Sequence, residues 1–169
     1  MTLSTQPIPL SRIKTHCRIK TLCRIKTLTA GFHLTDSLLD ILATELNDVD
    51  QNKNAQDQAQ DPSHESLSGM IILNFRDPDY GPQAGGFHPV EIAIARTGAL
   101  IYVTDFAYVG SGYFAELDRE LDFDFAGQQF VHGGRAYTLQ IGRAMFDLWQ
   151  ANFCSYYRMG VYTVEVTLV

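Results

Sequence analysis

Hydrophobic and polar positions change period several times along the chain, and each change marks an element. Leu34, Leu38, Leu39, Ile41, Leu42 and Leu46 follow i, i+4, i+7, i+8 spacing, which predicts an amphipathic helix over Leu34–Asn47 with Thr35 or Asp36 as its N-cap. Leu67–Arg76 is an apolar, β-branched run that stops at Asp77-Pro78 and predicts a strand. Val90, Ile92 and Ile94 alternate with Glu91, Ala93 and Ala95, Thr97-Gly98 supplies a turn, and Leu100–Ala107 returns as a strand whose only charge is Asp105. Over Glu116–Phe125 the alternation is strict. Leu117, Arg119, Leu121, Phe123 and Phe125 share one face, and Glu116, Asp118, Glu120, Asp122 and Asp124 share the other. Gln128–His132 and Arg135–Tyr137 predict a hairpin around Gly133-Gly134.

A helical period then resumes over Leu139–Met159, with Leu139, Met145, Phe146, Trp149, Phe153 and Tyr156 as the core-facing stripe and Gly160 as the C-cap. Val161–Val169 closes the chain as a strand with Tyr162, Val164, Val166 and Leu168 inward. Short links between strands imply antiparallel pairing. The expected class is α+β: an antiparallel sheet of about 6–7 strands flanked by an N-terminal helix and a long C-terminal helix, followed by a final strand.

Two stretches fall outside this pattern. Asn47–Ser66 is rich in Asn, Asp and Gln and predicts a flexible polar loop. Residues 1–30 contain the repeats RIKTHC, RIKTLC and RIKTLT. A six-residue period smears around a helix but keeps Ile and Thr on one face of a strand. The plain reading is a disordered basic tail, leaving 31–169 as a single domain. The tail carries six Lys/Arg and no acid, whereas residues 31–169 hold seven Lys/Arg against all 19 Asp/Glu, a balance of −12. So acidic a body repels nucleic acid, which only the 12–26 arm could approach, and it favours a basic protein or peptide as partner. No run reaches the ~18 apolar residues of a membrane helix. Three cysteines, two of them in the tail, make no disulfide framework. Cys154 reads as a small buried hydrophobe, and the chain as soluble and cytoplasmic.

His88 is the most informative single residue for chemistry. It sits where the Pro/Gly-rich loop enters a strand, with Asp77, Asp79 and Tyr80 on the same loop, Glu91 three residues on and Asp105 on the strand expected alongside. A histidine among carboxylates is what a general base or a metal site needs. No HExxH, paired CxxC or nucleophile elbow accompanies it, so no catalytic set, metal-ligand set or cofactor is assigned. Gly81, Gly85 and Gly86 lead into a strand and not a helix, which disfavours phosphate binding. Carboxylates two apart on a strand lie ~6.6–6.8 Å apart, so Glu116, Asp118, Glu120, Asp122 and Asp124 read as a cation-attracting surface and not as a preformed ion site.

The segments FRDPDYGPQAGGFHPVEI, YVTDFAYVG, ELDFDF and LWQANFCSYYRMGVYTVEV together resemble an uncharacterised bacterial domain-of-unknown-function family, over about Leu67 to Val169. That resemblance implies a small cytoplasmic bacterial protein with no assigned activity. It also implies the fold of the acidic mitochondrial matrix protein that serves as a receptor for complement globular heads, and assembly as a homo-oligomer. The present chain departs from that fold in ending on a strand after the long helix. The functional expectation is a non-enzymatic binding protein. Its candidate site residues are Asp77, Asp79, Tyr80 and His88 on the 77–91 loop, or the sheet face with Glu116, Asp118, Glu120, Asp122 and Asp124. The alternative is a small metal-dependent enzyme or hydrolase centred on His88, Glu91 and Asp105.

Overall fold

A computed structural model describes residues 31–53 and 69–169. Expectations for the 1–30 tail, and for the part of the polar loop beyond Lys53, lie outside these residues. The elements run α1 (Asp36–Lys53), β1 (Met70–Arg76), β2 (Val90–Ala95), β3 (Leu100–Val109), β4 (Glu116–Asp124), β5 (Gln129–His132), β6 (Arg135–Thr138), α2 (Arg143–Arg158) and β7 (Thr163–Leu168). They form one seven-stranded antiparallel sheet in the order β6-β5-β4-β3-β2-β1-β7, with both helices contributing to one core. The α+β class, the antiparallel sheet, the two flanking helices and the final strand are all as expected.

Neighbouring strands from β1 to β6 are joined in sequence, so most of the sheet is a meander. The exception is β7, which returns after α2 to pair with β1, placing Phe75 opposite Val164 and Leu73 opposite Val166. Gly133 and Gly134 lie at φ of 54° and 74°, the two positive values that a tight two-residue hairpin turn demands.

Alternation places Leu73, Phe75, Val90, Ile92, Ile94, Val103, Phe123 and Phe130 on one face of the sheet, each 4% exposed or less. The helices cover that face through an aromatic spine. Trp149 stacks on Phe153 at 5.1 Å and on Phe146 at 5.7 Å, and Phe75 and Phe123 meet Phe153 and Phe146 edge-on at 4.9 and 5.0 Å. Such pairs add ~0.5–1.5 kcal/mol each beyond area burial. Cys154 is buried in the same core, and burial pushes its thiol pKa up.

Helix α1 starts at the expected cap: the Thr35 hydroxyl accepts the Leu38 N–H at 3.3 Å. It ends later than expected, because the helix runs to Lys53 into the polar stretch assigned to a loop from residue 47. Helix α2 is shorter at its start than the Leu139–Met159 prediction, since Leu139–Gly142 forms a 3-10 turn. Gln150, fully buried, ties the two helices together. Its carbonyl accepts the Thr35 N–H at 2.9 Å and its amide donates to the His33 carbonyl at 3.0 Å.

Strand β4 departs from the strict alternation predicted for it. Leu121 pairs with Asp105 but Arg119 pairs with Phe106, so Glu120 is an extra residue, a β-bulge. Beyond it the face assignment inverts. Leu117 and Arg119 leave the face of Leu121 and Phe123, and the Arg119 guanidinium reaches the Asp122 carboxylate at 3.0 Å. The predicted single acidic face is therefore divided, with Asp122 and Asp124 on one side and Glu116, Asp118 and Glu120 re-aimed.

Candidate functional site

The loop between β1 and β2 is held by its own side chains. Asp77 accepts the Asp79 N–H and the Phe87 N–H, each at 2.9 Å, one on each carboxylate oxygen. A backbone bridge joins Gly81 to Gly85. Gly86 sits at φ +116°, where a Cβ would lie 2.8 Å from Asp77 Oδ2 and 3.1 Å from Tyr80 Cα, so only glycine lets the loop close so tightly. His88 is then pinned through its neighbours and its own carbonyl. The Pro89 carbonyl accepts the Phe106 N–H at 2.9 Å, and the His88 carbonyl accepts the Tyr162 hydroxyl at 3.3 Å. Tyr80 lies against the imidazole at 5.4 Å, and its hydroxyl accepts the Tyr108 N–H at 3.2 Å.

This scaffold aims the His88 ring at two carboxylates. Nδ1 lies 2.8 Å from Asp105 Oδ1 and 3.0 Å from Glu120 Oε2. Asp105 comes from β3, opposite Val90, and Glu120 arrives by way of the β4 bulge. The other oxygen of Asp105 accepts the Trp149 indole N–H at 3.1 Å, so α2 orients the carboxylate from behind. The hydrogen bond to Asp105 raises the His88 pKa above its ordinary 6.5, helped by the charges of Asp105 and Glu120 and opposed by partial burial. Burial likewise raises the pKa of Tyr80.

His88, Asp105 and Glu120 form the polar corner of a cavity of about 330 Å³ whose other walls include Phe87, Leu148, Trp149, Phe153, Tyr156 and Tyr162. The pocket is thus mostly aromatic and apolar, with converging ionisable groups at one end, the usual make-up of a ligand site.

A family model described as "Protein of unknown function (DUF2787)" matches residues 36–167. The chain belongs to the DUF2787 family. Two solved structures are similar. One is the hypothetical protein VC0508 from the Vibrio cholerae VSP-II pathogenicity island, at 33% identity and TM-score 0.62, covering 83% of this chain and 99% of that one. The other is the conserved hypothetical protein VC1805 from pathogenicity island VPI-2 of Vibrio cholerae, at 29% identity and TM-score 0.60, covering 82% and 96%. The second shares structural homology with the human P32 protein. No curated protein matches. The family match reaches further toward the N-terminus than the resemblance read from the sequence and takes in α1.

Within this DUF2787 domain the sequence-predicted residues separate into groups. His88 and Asp105 meet, and Glu120 joins them. Glu91 does not: it accepts the Tyr102 hydroxyl at 2.6 Å and pairs across β2–β3 with Thr104, on the sheet face away from the core. Asp77 holds the loop backbone, Asp79 is exposed, and Tyr80 supports His88. Asp122 accepts the buried Thr104 hydroxyl at 2.7 Å in addition to Arg119. Asp124 accepts the Gly127 N–H at 2.6 Å, Asp118 accepts the Arg119 N–H at 2.7 Å, and Glu116 is exposed.

The helical stripe marks Trp149 and Phe153 as core, and the structure gives them a second role as pocket wall. Strict alternation groups Glu120 with the wrong neighbours, and one signal points to this. Arg119 was the only charge on an otherwise apolar face, and a charge on a core face marks a change of phase.

No helix among the described residues is long and apolar enough to cross a membrane.

Proposed function

We propose that this DUF2787 protein is a non-enzymatic binding protein that takes a basic protein or peptide at the 77–91 loop, seating an apolar or aromatic side chain in the pocket beneath it. One observation carries the reading: Gly86, Phe87 and His88 of that loop line a cavity whose walls are aromatic and whose polar corner holds two carboxylates. Aromatic-lined pockets anchor the few side chains that dominate protein recognition. The −12 balance over residues 31–169 steers a cationic partner from a distance, and the pocket holds it at contact. The acidic strand face supports the reading less well, because Asp122 and Asp124 already accept hydrogen bonds from Thr104, Arg119 and Gly127. The P32 homology noted for VC1805 is in keeping with an interaction role.

The test is an array of Lys/Arg-rich peptides, each with one aromatic residue, probed with the full chain and with Leu148→Asp in chelator-containing buffer. Leu148 is a pocket-wall residue that is 57% exposed, so the charge can be introduced without unfolding the core. Binding that falls with salt and weakens at least tenfold in Leu148→Asp is expected. Peptides that bind the variant as tightly as the parent would rule the pocket out.

A further inference from the structure

Among the described residues, one group of three or more metal-ligating side chains converges: His88, Asp105 and Glu120, whose donor atoms all lie within 4.8 Å of one another. We propose that this corner is a divalent transition-metal site, with His88 Nδ1, Asp105 and Glu120 as protein ligands and the open coordination position facing the aromatic pocket.

The hydrogen bonds at this corner are one donor short. The ring nitrogen Nδ1 carries at most one hydrogen, yet it has two carboxylate oxygens at 2.8 and 3.0 Å. One proton cannot serve both acceptors well, whereas a cation placed among the three atoms satisfies all of them. The separations fit such an ion with little movement. Ligands held at ~2.0–2.2 Å in a tetrahedral shell stand about 3.4 Å apart, so the two gaps from Nδ1, at 2.8 and 3.0 Å, would each open by about half an ångström.

The ligands are also supported from behind. Asp105 presents Oδ1 to the corner while Oδ2 is held by the Trp149 indole at 3.1 Å, the outer-shell orientation that ligating carboxylates commonly have. The His88 carbonyl is held by the Tyr162 hydroxyl at 3.3 Å. The corner is also accessible. The three residues are half-buried and line the 330 Å³ cavity, so an ion bound there keeps a position open to whatever the pocket admits. One imidazole with two carboxylates suits Zn²⁺, Mn²⁺ or Co²⁺. The oxygen-rich shells of Ca²⁺ have no place for a nitrogen donor.

The inference rests on the pocket being a binding site, but the two ideas fail separately. The peptide test above runs with chelator present, and the ion test needs no partner. Trp149 is the only tryptophan in the chain and touches a proposed ligand, so its fluorescence reports on this corner and not on Cys17 or Cys23 of the tail. The experiment titrates the metal-free full chain with Co²⁺ and then Mn²⁺. The expected result is saturable quenching of Trp149 emission at one equivalent, reversed by EDTA, with affinity lowered at least about tenfold in Glu120→Gln and His88→Asn. The Glu120 side chain is 43% exposed, and equal melting of parent and Glu120→Gln in EDTA would show that the variant folds. Should His88→Asn fail to fold, Glu120→Gln decides alone. Trp149 emission indifferent to both ions, or titrations of parent and Glu120→Gln that superimpose, would overturn the proposal.

Discussion

Strand β4 reads as one uniform acidic ladder in sequence and behaves as two strands in the fold. On the Asp122–Asp124 side of the bulge, carboxylates are used for structure. Asp122 joins Thr104 to Arg119, and Asp124 closes the turn to Gly127. On the other side, Glu120 is turned toward His88 and Asp105, where two carboxylates share one ring nitrogen. The residue types are the same and only the pairing register differs. A single inserted residue moves every later side chain to the opposite face, so it can place a carboxylate beside the core without changing the composition of the strand. Acidic side chains alone therefore say little about what a strand does; their register against the neighbouring strand says more.

The two halves of β4 differ most at two apolar residues that strict alternation treats as equivalent. Phe123 is fully buried and stacks on Phe130 at 4.9 Å, whereas Leu117, past the bulge, is 39% exposed. Phe123→Ala should cost about 3–5 kcal/mol in chemical denaturation and Leu117→Ala under about 1 kcal/mol. Similar large losses for both would mean that the bulge does not exist.

A smaller effect separates the carboxylates themselves. Asp122→Ala removes the acceptor of the buried Thr104 hydroxyl and of Arg119 and should cost about 1–3 kcal/mol. Asp118→Ala, at an exposed carboxylate that accepts the adjacent Arg119 N–H, should stay within about 0.5 kcal/mol. Equal costs would erase the distinction between the two halves of the strand.

The smallest effect is pH-dependent and belongs to the His88 corner. Its folded pKa is raised above 6.5 by the Asp105 hydrogen bond, with Glu120 adding to it and partial burial opposing. The imidazolium's contribution is therefore fully present below 6.5 and lost as pH rises through the folded value. In EDTA, the gap in melting temperature between the parent and His88→Asn should be widest near pH 6 and close on the alkaline side. A gap that widens with pH would contradict the arrangement of charges around the ring, in which Asp105 and Glu120 come from β3 and β4 and Tyr80 from the loop.

Much of the site could be anticipated from local sequence. His88 stands between a glycine pair and a proline, which marks a loop meeting a strand, and Asp105 is the lone charge in an apolar run; their meeting follows once β2 and β3 are paired as a hairpin. Glu91 misled because it lies close to His88 in sequence. Three residues along an extended chain brings a side chain to the opposite face, and only Tyr102 on the neighbouring strand shows where it goes. Glu120 and Trp149 were out of reach for a different reason. They lie 32 and 61 positions beyond His88, and nothing local encodes which of the many acids and aromatics will arrive there.

By itself, the sequence determined the element types, their order and the hairpin connections, because period, cap and turn residues act over a few neighbours and their energies are local. It also determined the acidity of the body, which is a sum over residues. The tertiary structure alone decided the bulge at Glu120, the return of β7 to the β1 edge, and the convergence of loop, strand and helix on one pocket. Each of these is selected by packing among segments far apart in the chain. The free energy that favours one register over its neighbour exists only when the partner strand and the covering helix are both in place.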